Sequence, residues 1–119
     1  MSELISFYPS TDLAKTRDFY EGLLDLKLAR DQGTCLIFKV TAGAYIGFCR
    51  HSSVPEYHSG LIITILEEDV DTLYAKLDKA NVFLENAPQL NETFQIYHFF
   101  TRDPNGYRLE IQRFLQPLP

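Results

Sequence analysis

One succession of segments occurs twice in this chain: a short apolar run, a helix-periodic stretch, then three more strand-like runs. In the first pass, Leu4-Ile5-Ser6-Phe7-Tyr8 is apolar and β-favouring, and Pro9 is expected to end it. Ser10 or Thr11 can cap a helix, with Asp12 in its first turn facing the positive end of the dipole. Leu13, Thr16, Tyr20, Leu23 and Leu24 recur at helical spacing, and Phe19 broadens the apolar face. Strand-like runs follow at residues 26–30, 34–40 and 44–49, separated by the turn signals Asp31-Gln32-Gly33 and Ala42-Gly43.

A polar stretch containing Pro55 separates the passes and reads as a connector over residues 51–59. The pattern then restarts. Residues 60–66 form an apolar strand, and Glu67-Glu68-Asp69 lead into a second helix with a stripe of Val70, Leu73, Tyr74, Leu77 and Ala80. Asn81 is placed to cap its C-terminus. A short strand is expected at residues 82–84, a polar loop with Pro88 at 85–93, and two closing strands at 94–101 and 106–114. The helix starts, Asp12-Leu13 and Asp69-Val70, are 57 positions apart, and the strand-opening glycines, Gly43 and Gly106, are 63 apart. Such a duplication predicts an α+β fold of two βαβββ repeats, residues 1–50 and 60–119, whose mixed half-sheets close into a cup around a shared cavity.

Composition narrows the setting. The 119 residues, 45% of them hydrophobic, suit one domain with a real core. No apolar run approaches the roughly 18 residues that span a bilayer, and no basic segment leads into an apolar one as in a signal peptide. A net charge of −5 argues against a nucleic-acid surface. Cys35 and Cys49 have no closely spaced partners, which predicts free thiols, a reducing compartment and a cytoplasmic protein.

The most specific local signal is Thr101-Arg102-Asp103-Pro104-Asn105-Gly106-Tyr107-Arg108-Leu109-Glu110-Ile111. Pro104 presets the first corner of a turn, Asn105 tolerates the second, and Gly106 supplies the positive φ of a bulged hairpin. Beyond the turn, Arg108, Glu110 and Gln112 alternate with Tyr107, Leu109 and Ile111 and so share one strand face.

These segments resemble the vicinal oxygen chelate superfamily, which includes glyoxalase I, bleomycin-resistance proteins and extradiol dioxygenases. Asp12-Leu13, Asp18-Phe19-Tyr20 and Gly22-Leu23-Leu24 are similar to its opening "DL…FY…LG" pattern. The stretch from Phe99 to Ile111 resembles its closing "F-x-DP-x-G-x-x-x-E" signature, and Glu68-Asp69-Val70-Asp71-Thr72-Leu73 the start of its second helix. Asp25 departs from the pattern, standing where the family usually has glycine. The resemblance implies a homodimer and a divalent metal in the cup, held by residues of the first and last strand of each repeat. Counted from the helix starts and the strand-opening glycines, those positions are Ile5, Gly47, Ile62 and Glu110. Three of the four have no donor atom, so the ordinary metal site is expected to be lost and no cofactor is expected there.

Glu110 then has two readings: a half-exposed strand acid, or a cup-facing carboxylate that anchors a ligand or acts as a base. Arg108 and Gln112 share its face and are placed either to orient it or to form ordinary surface pairs with it. His98, in the strand that pairs with that of Glu110, is either a satisfied core histidine or its acid–base partner. Phe7, Tyr45, Gly47, Ile62, Thr64 and Phe100 read as core or as pocket walls, and Cys49 as a buried inert thiol. His51 and His58 read as solvated linker residues. No phosphate loop, Ser-His-Asp order or CxxC is present. The expected function is binding of a small, largely apolar or aromatic molecule, with Glu110 and His98 as the polar anchors and the candidate catalytic groups. Two alternatives stand: a metal-dependent lyase, isomerase or dioxygenase using displaced ligands such as His98 and Glu110, and an antibiotic-sequestering resistance protein.

Overall fold

The computed structural model describes residues 1–56 and 60–119. Two compact units, Met1–Tyr57 and His58–Pro119, each hold one βαβββ repeat. In the first, β1 (Leu4–Ser10) precedes α1 (Leu13–Arg17), and the chain continues through a π-helical turn, Asp18–Leu23, into β2 (Lys27–Asp31), β3 (Cys35–Thr41) and β4 (Ala44–Arg50). The sheet order is β1-β4-β3-β2, with β1 parallel to β4 and the other pairs antiparallel.

Period-two alternation sends Phe38 and Phe48 to the helix-covered face, where both are fully buried with Tyr20. The Tyr20 and Phe48 ring centroids are 4.6 Å apart, within the range of favourable aromatic pairs. Two expectations about the entry to α1 are corrected. Pro9 does not end β1, because β1 is an edge strand and tolerates a residue without an N–H. Asp12 itself is the N-cap, accepting from the Lys15 N–H at 3.0 Å. Ser10 is instead buried, its hydroxyl 2.9 Å from Thr16 Oγ1. Asp25 has φ +58°, the left-handed conformation that glycine adopts without strain and aspartate tolerates better than most residues.

Cys35 and Cys49 are not free thiols. They face each other across β3 and β4 and form a disulfide. The premise for a reducing compartment, and the reading of Cys49 as an inert thiol, are overturned. A separation of 14 residues carries no pairing signal; only the hairpin register sets the two side chains opposite each other.

The second unit repeats the order: β5 (Ile63–Leu66), α2 (Val70–Lys79), β6 (Gln89–Asn91), β7 (Ile96–Arg102) and β8 (Arg108–Phe114), with sheet order β5-β8-β7-β6 and β5 parallel to β8. Asp69 caps α2, accepting from the Thr72 backbone N–H at 3.1 Å and from its hydroxyl at 2.7 Å. The hydroxyl bond, and then the backbone one, hold the Asp69 carboxyl below its ordinary pKa of 3.8. Asn81 ends the helix with φ +60°. Bonds from Asn81 N–H to Asp78 and from Val82 N–H to Leu77 complete a Schellman arrangement. Of the expected stripe, Val70 and Leu77 are buried and Leu73 and Tyr74 half-buried; Ala80, already past the last helical residue, is exposed.

The strand expected at residues 82–84 is only a single bridge between Leu84 and Thr101. Its place in the sheet is taken by Gln89–Asn91, inside the stretch expected to be loop. A three-residue edge strand buries too little to need an apolar alternation, so its sequence does not announce it. The closing turn matches expectation: Gly106 has φ +88° and its N–H bonds the Asp103 carbonyl. Asp103 is buried, and its Oδ1 accepts from the Asn105 and Tyr107 N–H groups, each at 2.9 Å. Among the described residues no helix is long and apolar enough to cross a membrane.

Candidate functional site

The site is built from the open face of the second sheet. Alternation places Glu110, Gln112 and Phe114 of β8 on that face, with Ile96, His98 and Phe100 of β7 beside them. Register sets Phe100 opposite Glu110, His98 opposite Gln112, and Thr64 of β5 on the other flank of Glu110. His98 is thus a diagonal neighbour of Glu110, close enough for side chains of this length to meet.

They do meet. His98 Nδ1 lies 2.7 Å from Glu110 Oε2, with the side chains 8% and 12% exposed. Thr64 Oγ1 donates to Glu110 Oε1 at 2.9 Å. Gln112, with its amide nitrogen turned toward the carboxylate, donates to Oε2 at 3.0 Å and to Oε1 at 3.2 Å. Both oxygens of Glu110 are therefore engaged by side chains from three strands. Because a carboxylate only accepts, the proton of the short contact sits on His98 Nδ1. Among the described residues Nε2 makes no hydrogen bond, and no side-chain nitrogen or oxygen is sealed off without a partner.

Around this cluster is an open cavity of about 490 Å³, lined by Ile62, Asn91, Phe94, Ile96, His98, Phe100, Glu110, Gln112 and Phe114. That volume suits a small organic molecule, and most of the lining is apolar with a few converging polar groups. Phe100 is a braced wall: the Arg108 guanidinium lies 3.8 Å from its ring centroid, and the His98 ring meets it edge-on at 5.3 Å. Arg108 does not pair with Glu110 or Gln112 as expected. Its Nε and Nη2 bond the Glu85 carboxylate at 2.9 and 3.1 Å, a two-pronged grip on the loop before β6.

The sequence-expected residues divide accordingly. Ile62, His98, Phe100, Glu110 and Gln112 come together at the cavity, Thr64 supports Glu110 from β5, and Arg108 stiffens a wall. Phe7, Tyr45 and Gly47 belong to the first sheet, where the Phe7 ring covers Gly47 so closely that a Cβ there would lie 2.5 Å from two ring carbons. His51 is exposed, and His58 lies outside the described residues. Asn91, Phe94, Ile96 and Phe114 were missed. Ile96 and Phe114 were legible, since each continues the alternation through His98 or Gln112; Asn91 and Phe94 come from the unrecognised β6 and its turn.

The two sheets match in register around Gly47 and Glu110, two of the four positions that the resemblance assigns to metal ligands: Phe7 pairs with Gly47 as Thr64 pairs with Glu110. Ile5, Gly47 and Ile62 offer no donor, and Glu110 already accepts on both oxygens, so the residues present do not fit a divalent ion at that site. A second cavity, about 560 Å³, lies between Leu66 to Glu68 and the tail residues Leu115, Pro117 and Leu118. Its polar lining is mainly the charged side chains of Glu67, Glu68 and Arg113, and it holds no buried acid–imidazole pair.

Comparison with known proteins places the chain. The sequence matches the Glyoxalase/Bleomycin resistance protein/Dioxygenase superfamily over residues 6–111, and the chain belongs to that superfamily. Among solved structures, it is similar in fold to a bleomycin resistance determinant encoded on transposon Tn5, with 17% identity, 98% of this chain and 100% of that one covered and a TM-score of 0.77. TioX from Micromonospora sp. ML1 has 17% identity, coverage of 97% and 100%, and a TM-score of 0.78. A possible glyoxalase from Bacillus cereus has 17% identity, coverage of 93% and 97%, and a TM-score of 0.78. At these identities the likeness concerns the fold. No curated protein matches the sequence.

Proposed function

We propose that this chain binds a small, largely apolar or aromatic molecule in the cavity of its second sheet, without the metal used elsewhere in the superfamily. The observation that carries the reading is the His98–Glu110 pair, mostly buried and set in a mostly apolar wall. A buried polar pair of this kind costs desolvation that an apolar core would avoid, and binding clefts are where such pairs recur. The absent donors at Ile5, Gly47 and Ile62 support metal-independent binding. His98 and Glu110 are also the groups available for acid–base chemistry if the bound molecule is turned over.

Edge strands β1 and β5 carry exposed Leu4, Ile5, Phe7 and Leu66, which supports self-association into a homodimer. Sedimentation equilibrium checks this, with a single species of twice the 13.7 kDa chain mass expected.

Equilibrium dialysis against Zn²⁺, Ni²⁺, Mn²⁺ and Fe²⁺ tests the metal-free reading. No stoichiometric micromolar uptake is expected. Uptake that Glu110→Ala abolishes contradicts the reading and favours a metal-dependent enzyme with displaced ligands. Sequestration of an antibiotic is a special case of the same binding reading; protection of cells from a drug, with no turnover, identifies it.

A further inference from the structure

The cavity has a polarity of its own, fixed by which atom of His98 is already used. Nδ1 is committed to Glu110, and the carboxylate can only accept, so the Nδ1 proton is held in place. In the neutral ring the other nitrogen, Nε2, is then a lone-pair acceptor. It belongs to a side chain more than nine-tenths buried, has no partner among the described residues, and its residue lines the cavity. Nε2 is not sealed off in the open cavity, where solvent can satisfy it; a ligand that covers it must replace that hydrogen bond or leave a buried acceptor without a partner, which is costly. Glu110, by contrast, has no vacancy to offer: Thr64, His98 and Gln112 saturate its oxygens.

We infer that the ligand of this cavity is an aromatic molecule bearing a hydroxyl donor, of which a phenol is the simplest, and that its O–H is received by Nε2 of His98. Glu110 is a positioning residue that fixes the tautomer and ring angle of His98 and does not touch the ligand. Thr64 and Gln112 hold Glu110 in turn. This rests on the proposed binding role of the cavity but assigns the contact atom and the ligand class, which that role leaves open. The remaining apolar walls, Ile62, Phe94, Ile96, Phe100 and Phe114, accept an aromatic body, and among the described residues no Lys or Arg lines the cavity to favour an anionic one.

The test compares 2-naphthol with 2-methoxynaphthalene, probes of similar ring shape that differ in the donor, by calorimetric titration. The wild-type protein is expected to bind 2-naphthol about tenfold more tightly, as one hydrogen bond to an acceptor that the bound ring covers implies. In parallel, ¹⁵N NMR of the His98 ring in the unliganded protein is expected to show a protonated Nδ1 and an unprotonated Nε2. In Glu110→Gln, the new amide can donate to Nδ1 and shift the proton to Nε2. The preference for 2-naphthol should then fall to about onefold by loss of the same hydrogen bond, with 2-methoxynaphthalene affinity retained.

Equal wild-type affinities for the two probes overturn the donor inference and leave the binding role of the cavity standing. A protonated Nε2 in the unliganded protein also overturns it, and needs no variant to fold. Binding of neither probe removes both the inference and the reading beneath it.

Discussion

At the scale of single residues, two counterpart positions on the same fold, Gly47 and Glu110, carry different chemistry. Glu110 keeps the acid but spends both oxygens on Thr64, His98 and Gln112, and its counterpart in the first sheet, Gly47, lies under the Phe7 ring. Gly47→Ala is predicted to cost about 1 kcal/mol in urea unfolding, at the low end for overpacking because the half-exposed Phe7 ring can swing aside. In a Phe7→Ala background the same change should cost nothing measurable, and an undiminished cost would show that Phe7 is not what forbids the side chain. Glu110 and His98 were legible as residues worth watching, one from the closing motif and one from its strand. Their contact was legible only as one of two readings of His98, because whether two strand neighbours share a face depends on a register that the turn sets and the sequence does not state.

At the scale of elements, helices and long strands were readable because each has its own apolar period. Those that were misread are short or at an edge: β6 was hidden in a polar stretch, and β1 ran on through Pro9. Attachment of α2 to its sheet depends partly on one polar link, the Tyr97 hydroxyl donating to Asp71 Oδ1 at 2.6 Å. That bond first, and then desolvation and the negative charge of Asp71, push the Tyr97 pKa above its ordinary 10.0, with Arg113 opposing. The folded state therefore holds the phenol proton more tightly than the unfolded chain does. The contribution of Tyr97 is complete below pH 10 and is lost as pH rises through the raised value. Thermal unfolding of Tyr97→Phe should show a lower midpoint than the wild type at pH 8, and the gap should close in strongly alkaline buffer. A gap that widens with pH would reverse the sign of the linkage.

The Cys35–Cys49 crosslink belongs to the same scale, closing the β3–β4 hairpin over 14 residues. Loop-closure entropy for about 15 residues corresponds to roughly 3 kcal/mol, and reduction should lower unfolding free energy by up to that amount. Urea titrations with and without dithiothreitol measure it; identical midpoints would mean that the hairpin holds equally well as two thiols.

At the scale of the whole molecule, the duplication is the feature that carried furthest, because the offsets of 57 and 63 residues reappear as matched pairs in two sheets of the same topology. What duplication could not supply is asymmetry. The two sheets share a plan, but only the second sets an acid and an imidazole against each other on its open face. Glu110 is the one carboxylate among the described residues of the cavity's lining.

The central claim, metal-free binding of a small aromatic molecule at the His98–Glu110 face, is tested most directly by titrating isotope-labelled protein with 2-naphthol in EDTA-containing buffer and following resonances by NMR. Saturable one-to-one shifts centred on Ile62, Ile96, His98 and Phe100 are predicted. Shifts centred instead on Leu66, Pro117 and Leu118, or no saturable shift until a divalent ion is added, would contradict it.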